Sequence, residues 1–382
     1  MQSDQRLKLA LIADFPEERW ESMDLVADMV ELHLKSDLSN KIEVHRITPR
    51  YQPLFSRLSR SRLAWNLDRL INRRIILKNG ISKTIASDSF DMALIVDHSY
   101  ANIVPVLKQK RLKTQVICHD TDALKPLNNS SRSLKNRLRR WFARPIESGL
   151  RNTDCIICDS ETVRQELIHD WSFPPESIHT IPIGVAPEFH LDNSHDQSLM
   201  RADLDGKWPV LVHVGTNTPR KRLDLLISTV SALSSVFPNL TCIRIGGGFN
   251  RQQKQELAEN RTQHYFQVMP RLSRSEIAAI YRAASLVLIT SDAEGFGLPM
   301  VEALSCGSRV LSTDLPVLRE VGGEFATYTP PGDLKGMIRN ASQMLNEKSG
   351  DVNQESLRAF LSKYSWSHYV HELSYLMEQL KS

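Results

Sequence analysis

Short apolar runs alternate with amphipathic helical stretches along this chain; the alternation breaks once and then begins again. Leu7–Ala13, Ile42–Ile47, Asp91–Val96, Thr114–Cys118 and Asp154–Cys158 read as strands. Between the first two, Met23, Val26, Ala27, Val30 and Leu34 recur at helical spacing over Trp20–Leu34. Ser160, ahead of Glu161-Thr162-Val163, reads as a helix N-cap. Parallel strands need a long crossover, usually a helix, so this pattern predicts an α/β fold with a parallel sheet covered on both faces. The second series runs Trp208–Val214, helix Leu223–Phe237, Thr241–Ile245, Ala284–Ile289 and Arg309–Ser312, and closes with helices at Leu334–Leu345 and Ser367–Leu380. The break carries Pro182, Gly184 and Pro187, then the polar run Leu191–Gln197, as an interdomain linker does. The expected division is an N-terminal domain over 1–182, a linker over 183–207, a C-terminal domain over 208–365 and a terminal helix over 366–382.

At 382 residues, 41% apolar and 24% charged, the chain has the composition of a globular protein with room for two or three cores. No apolar run approaches the roughly 18 residues that span a bilayer. The first residues lead into a strand without a signal-peptide pattern, so a cytoplasmic enzyme is the default expectation. Five cysteines, mostly in apolar runs and including Cys155-x-x-Cys158 within one strand, read as buried free thiols rather than a zinc or redox site.

The net charge of +4 is modest but unevenly spread. Arg57, Arg60, Arg62, Arg69, Arg73, Arg74 and Lys78 form one basic stretch, interrupted by Asp68. Arg132, Lys135, Arg137, Arg139, Arg140 and Arg144 form another. Both are interleaved with Leu, Ile, Trp65, Trp141 or Phe142. They read either as basic amphipathic helices for an anionic membrane face or as solvated helix faces with core residues beneath. Nucleic acid is not expected, since no recognised binding motif accompanies the charge.

The chemistry concentrates in Ala284–Gly307. An apolar strand gives way to Ser291-Asp292-Ala293-Glu294-Gly295-Phe296-Gly297-Leu298, Pro299 suits the first position of a short helix, and Gly307 suits the residue just past its end. Backbone N–H groups and a helix N-terminus at a sheet's carboxyl edge make an anion site. Glu294 enters that loop and Glu302 is expected in the first helical turn. Carboxylates repel phosphate but accept hydrogen bonds from hydroxyl groups. A ligand with a diphosphate in the middle and a sugar at each end satisfies both features.

Glu294 to Glu302 resembles the E-x7-E signature, in its EGFGLPxxEA form, of the large retaining glycosyltransferase family with the GT-B fold, glycosyltransferase group one. The resemblance implies two Rossmann-like domains facing each other across a cleft, the terminal helix crossing back to the first. It implies that Glu294 contacts the transferred sugar, Glu302 the nucleotide ribose, and the backbone of Gly295, Phe296, Gly297 and Leu298 the donor. Lys221 matches the family's donor-phosphate lysine in its spacing from Gly215. Many members carry Arg directly after that glycine, where this chain has Thr216, and Arg220 is the candidate to replace its charge. Gly246 and Gly247 stand in the loop close to the nucleotide. Phe266–Leu272 stands where the base meets backbone, with Met269-Pro270 replacing a frequent glycine.

In the N-terminal half, Val96-Asp97-His98-Ser99-Tyr100 and Cys118-His119-Asp120-Thr121-Asp122 follow strands, so they reach a carboxyl edge. His119 resembles the family's acceptor-domain His-Asp position, near the reacting sugar; read alone, a histidine there is a satisfied structural hydrogen bond. The first loop, Asp14–Asp24, lacks the family's glycines, so Trp20, Ser22 and Asp24 either shape an acceptor pocket or only start a helix with Glu21 or Ser22 near its cap.

The resemblance implies transfer of a sugar from a nucleotide diphosphate donor to a hydroxyl of a glycan or lipid-linked acceptor, with no cofactor and no metal. Pro219-Arg220-Lys221 leans the donor toward GDP-mannose. Glu294, His119 and Lys221 are the candidate catalytic residues. The rival readings are a nucleotide-sugar epimerase on the same fold and a non-catalytic nucleotide-sugar-binding module. The basic helices suggest work at an inner membrane face.

Overall fold

The computed structural model describes residues 6–381 except 19, 60, 129, 132, 191–206, 270 and 348–352. Arg60, Arg132, Pro270 and the polar run of the expected linker therefore lie outside the described residues. The chain divides into two compact units, Met1–Gly184 with Trp366–Ser382, and Val185–Ser365.

The first unit holds one six-stranded sheet: β1 (Leu7–Ile12), β2 (Ile42–Ile47), β3 (Met92–Ile95), β4 (Lys113–Cys118), β5 (Cys155–Cys158) and β6 (Ile178–Thr180), in the order β2-β1-β3-β4-β5-β6. All pairings are parallel. The central strands are buried along their whole length, as continuous apolar runs require. Burial on both faces needs helices on both. Ile81, Val104, Leu107, Leu150 and Leu167 pack into one apolar cluster with Ile12, Ile95, Val116 and Ile156. The helix Trp366–Lys381 belongs to this unit and packs on the helix Glu21–Asp37. Ser160 caps its helix by accepting from Val163 N–H. The helix Glu21–Asp37 starts where Glu21 and Ser22 are expected near its cap, with Trp20 at the capping position making no side-chain cap bond.

The second unit repeats the plan with β7 (Val210–Val214), β8 (Thr241–Ile245), β9 (Phe266–Met269), β10 (Leu286–Ile289), β11 (Val310–Thr313) and β12 (Thr327–Thr329), in the order β12-β11-β10-β7-β8-β9. Every pairing is again parallel. Chain order reverses beside β7, whose neighbours are β8 and β10. In open α/β sheets the crevice outside such a reversal is where ligands bind. All five cysteines are buried free thiols. The short strands β6 and β12, three residues each, carry too little apolar pattern to be read in advance.

The basic stretches are less uniform than their composition suggests. Asp68 is buried and accepts from the N–H groups of Leu54, Phe55 and Ser56. Arg69 and Arg73 grip the enclosed carboxylate of Glu18. Arg74 stacks on Trp141, 3.9 Å from the ring centre, and so ties the two stretches together. Arg57, Arg62, Lys135, Arg137, Arg139 and Arg144 are exposed, and so are Leu58, Leu63, Ile75, Leu134, Leu138 and Trp141. No described helix is long and apolar enough to cross a membrane.

Candidate active site

At the carboxyl ends of β7, β8 and β10 three loops converge. Gly215 follows β7 and Gly246 follows β8. Gly246 has φ 99°, and a Cβ there would stand 2.4 Å from Gly215 O, so the two turns pack backbone against backbone. Gly247 opens onto free space. After Gly215 the turn Pro219–Lys221 sends the Lys221 stem back past that glycine, its Cε 3.3 Å from where a Gly215 Cβ would be.

The Lys221 ammonium meets Glu294 Oε1 at 2.5 Å, and Arg220 Nη1 reaches Glu294 Oε2 at 3.0 Å. Ser291 Oγ donates to the same Oε1 at 2.6 Å. The loop is fastened on both sides: Thr290 Oγ1 donates to Lys221 O, Asp292 N–H to Arg220 O, and Thr313 Oγ1 to Ser291 O. Arg222, third of the adjacent cations, is paired with Asp224 and Asp292 instead.

The helix Leu298–Ser305 starts from Gly297, whose φ of 98° only glycine adopts without strain. A Cβ at Gly297 would also meet Leu318 Cδ2 at 2.7 Å. No side chain caps this N-terminus. Phe296 is buried against Tyr364, ring centres 5.8 Å apart, so its side chain anchors the loop and only its backbone is available to a ligand.

Glu302 lies in the second turn of that helix, not the first as expected, because the helix begins at Leu298 and its first turn holds no acid. The favourable dipole interaction of a first-turn carboxylate therefore does not account for it. Burial pushes its carboxyl up to about 7, against the pull of the Tyr281 hydroxyl, 3.4 Å away, and of Arg274.

In the first unit, Asp14, Asp97, His98 and His119 follow β1, β3 and β4, three neighbouring strands, and all four are buried. His119 has both ring nitrogens engaged, Nδ1 with Asp159 Oδ2 at 2.5 Å and Nε2 with Val96 O at 2.8 Å. A carbonyl can only accept, so Nε2 carries a hydrogen. Burial works against a charge here, yet Asp159, Asp97 and the Val96 carbonyl raise its pKa to about 10. His119 is thus held as an imidazolium inside the sheet edge, and neither nitrogen faces outward. His98 stands beside it, ring centres 6.4 Å apart, with Nδ1 lacking a hydrogen-bond partner and Nε2 3.6 Å from Asp120 Oδ1. The Asp14 carboxyl lies against Asp97, and burial with that neighbouring charge pushes it up to about 9. Trp20 is exposed and donates to Glu18 Oε2 at 3.1 Å.

Lys221, Arg220, Gly215, Gly246 and Glu294 thus come together at the end of one sheet, with Gly297 opening the adjoining helix. Sequence reading missed Asp14, Asp159, Tyr281, His213 and Arg244. A polar residue inside an apolar strand, as at His213 and Arg244, is the one signal that could have drawn attention to the last two. Among the described residues no group of three or more His, Cys, Asp or Glu side chains could hold a metal ion.

Residues 197–360 match the family described as Glycosyl transferases group 1, and residues 32–189 match Glycosyltransferase Family 4. The chain is 25% identical over 272 residues to the serotype-specific mannosyltransferase WbdA of Escherichia coli, an alignment covering 68% of this chain and 32% of that protein. It thus spans about a third of the length of that enzyme. It is 26% identical over 268 residues to an uncharacterized glycosyltransferase of Methanocaldococcus jannaschii, covering 69% of this chain and 67% of that one. The fold is shared with sucrose-phosphate synthase from Thermosynechococcus elongatus, at a TM-score of 0.75 and 16% identity over 98% of this chain and 99% of that one. It is also shared with Anabaena HepE in complex with UDP, at a TM-score of 0.71 and 17% identity over 98% and 100%.

Proposed function

The chain belongs to the group 1 glycosyltransferases of the GT-B fold, and from that premise we propose that it is a retaining transferase, moving a sugar from a nucleotide diphosphate donor to a hydroxyl of a glycan or lipid-linked acceptor. The observation that carries this reading is the clasp of Glu294 by Lys221 and Arg220 at the chain-order reversal beside β7. Two cations and one carboxylate stand together where an anion joined to a sugar would bind.

When the donor enters, its diphosphate competes with Glu294 for Lys221 and Arg220, and the released carboxylate accepts hydrogen bonds from the transferred sugar. The leaving group departs with its charge spread over two phosphates. Lys221, Arg220 and the N-terminus of Leu298–Ser305 stabilise that charge as it develops. Backbone groups of Gly295, Gly297 and Leu298 face the donor, and Glu302 takes the ribose. The acceptor hydroxyl attacks from the face the leaving group vacates, and the donor phosphate takes its proton. His119 keeps the acceptor-side edge in shape through Asp159, with His98 and Asp120 beside it.

Similarity to mannosyltransferases and the Pro219-Arg220-Lys221 turn favour GDP-mannose as donor. The exposed cations and apolar residues of Arg62–Ile71 and Leu134–Asn152 favour peripheral contact with an anionic membrane, at its cytoplasmic face. The test is a thermal-shift panel of nucleoside diphosphates and their sugars, followed by a transfer assay with the ligand that stabilises most. Stabilisation by one diphosphate and its sugar, with sugar transfer, supports the reading. No stabilisation by any of them removes it. Isomerisation of the donor sugar without acceptor points to an epimerase instead.

A further inference from the structure

Arg244 heads the fully buried side chains by volume among the described residues, and it has no accessible surface. It sits on β8, beside the edge strand β9, two residues before Gly246. Its Nη1 donates to Ile245 O, while Nε and Nη2 have no partner. No carboxylate among the described residues forms an ion pair with it. A buried charge left in this state is costly, and proteins normally pair it or let it neutralise. Neutralisation is not open to this residue: burial lowers the guanidinium only to about 10, so it stays charged at neutral pH.

Its surroundings explain what the charge faces. Ile245 O, which Nη1 contacts, also accepts from Gly215 N–H at 3.0 Å. The Lys221 stem lies against Gly215. His213 stands beside Arg244 in register on β7, with Nδ1 unpartnered. Burial, then Arg244 and Lys221, hold that imidazole well below its usual range and therefore neutral. The wall beneath the two glycine turns thus carries two cations and a neutral histidine. The carboxylate at this edge, Glu294, is already taken up by Lys221 and Arg220.

We propose that Arg244 is a positioning residue for the donor, its uncompensated charge acting through the Gly215–Gly246 turn on the diphosphate without touching it. This rests on the nucleotide-donor reading given above. In a region of low effective dielectric a charge of this kind is felt over several ångströms. The residue costs stability in the ligand-free protein, and the bound anion offsets that cost.

The experiment compares wild type with Arg244→Met and Arg244→Lys in calorimetric titrations with GDP, UDP and inorganic pyrophosphate, against guanosine and uridine. Wild type is expected to bind the better diphosphate at least a hundredfold more tightly than its nucleoside. In Arg244→Met that preference falls at least tenfold, nucleoside affinity changes less than twofold, and the ligand-free melting temperature is equal or higher. Arg244→Lys keeps most of the preference. A folded Arg244→Met protein with the wild-type preference overturns the proposal and leaves the donor reading standing. Equal loss in the Met and Lys variants also overturns it, since shape rather than charge would then matter. A wild type without preference for the diphosphate defeats the donor reading and this inference together. Arg244→Gln replaces the Met variant if that one does not fold.

Discussion

Lys221 and Glu294, 73 positions apart in the chain, meet at 2.5 Å at the carboxyl edge of one sheet. Without Glu294 the Lys221 ammonium would lose its ion pair, whereas Glu294 without Lys221 would keep Arg220 and Ser291 as partners. On the proposed donor reading, each exchanges its partner for part of one ligand.

Replacing either should therefore do different damage. Lys221→Ala and Glu294→Ala are each expected to lower transfer at least about tenfold, equivalent to about 1.4 kcal/mol. Lys221→Ala should weaken binding of the nucleoside diphosphate itself. Glu294→Ala should spare the diphosphate and weaken discrimination between it and the nucleotide sugar. Titrations with both ligands separate the effects, and full transfer activity in Lys221→Ala would rule out its assigned role.

Glu302 should make donor binding depend on pH. Its carboxyl titrates near 7, raised by burial, and only the ionised form offers all its oxygens to ribose hydroxyls. Affinity for the nucleoside diphosphate is expected to rise between pH 6 and 8, and Glu302→Gln should flatten that rise. A profile identical in both proteins would detach Glu302 from the nucleotide.

Asp14 should make the first unit weaker in alkali. Its folded-state value of about 9 lies above the ordinary carboxyl value of 3.8, so the folded chain keeps a proton that the unfolded chain has released. Its contribution is complete below about pH 4 and is lost as pH rises toward 9. Asp14→Asn cannot ionise. Its melting temperature relative to wild type should climb from pH 5.5 to 8.5 by about 3 °C or more, the shift that about 1 kcal/mol produces in a unit of this size. Thermal unfolding across that range checks the sign.

His119 shares that pH sense, although here the fold favours the charged form rather than the neutral one. A histidine raised to about 10 contributes stability that is complete below its ordinary value near 6.5 and is lost as pH rises through 10. Asp159→Asn removes its main counter-charge and should destabilise the protein by about 3 kcal/mol at pH 7, since it leaves an enclosed imidazolium unpaired. Carbon-detected NMR titration of His119 should show the pKa falling in that variant.

The exposed basic and apolar side chains of Arg62–Ile71 and Leu134–Asn152 should bind liposomes containing anionic lipid at low salt and release them at high salt. Arg62→Glu with Arg139→Glu should weaken this severalfold without changing the melting temperature. No binding at low salt would exclude the membrane role.

Much of this was legible because the pattern repeats. Strand periodicity placed Ile42–Ile47 and Thr241–Ile245 to the residue, and Ser160 was found as a cap from its side chain alone. The EGFGLP stretch could be read because each residue answers a local demand, a glycine for φ 98° at Gly297 and a proline in the first helical turn. What could not be read depended on distant neighbours. Whether His119 faces outward was decided by Asp159 and by the Val96 carbonyl, 40 and 23 positions away. Arg69 and Arg73 have the spacing of surface cations, but both pair with Glu18, 51 and 55 positions away. A one-residue error in where a helix begins moved Glu302 to the wrong turn. Arg244 stands out in sequence only as a charge inside an apolar strand, and its missing partners depend on the packing around it.

The first unit is completed by Trp366–Lys381, which lays Tyr369, Val370, Leu373 and Met377 into its interior. During synthesis, residues 185–365 emerge in one piece and can collapse on their own, whereas the earlier unit must wait with the side of Glu21–Asp37 uncovered until the final helix leaves the ribosome. Of these two units the one begun earlier is therefore finished later, and a nascent chain halted before Trp366 would leave it uncovered and in need of a chaperone.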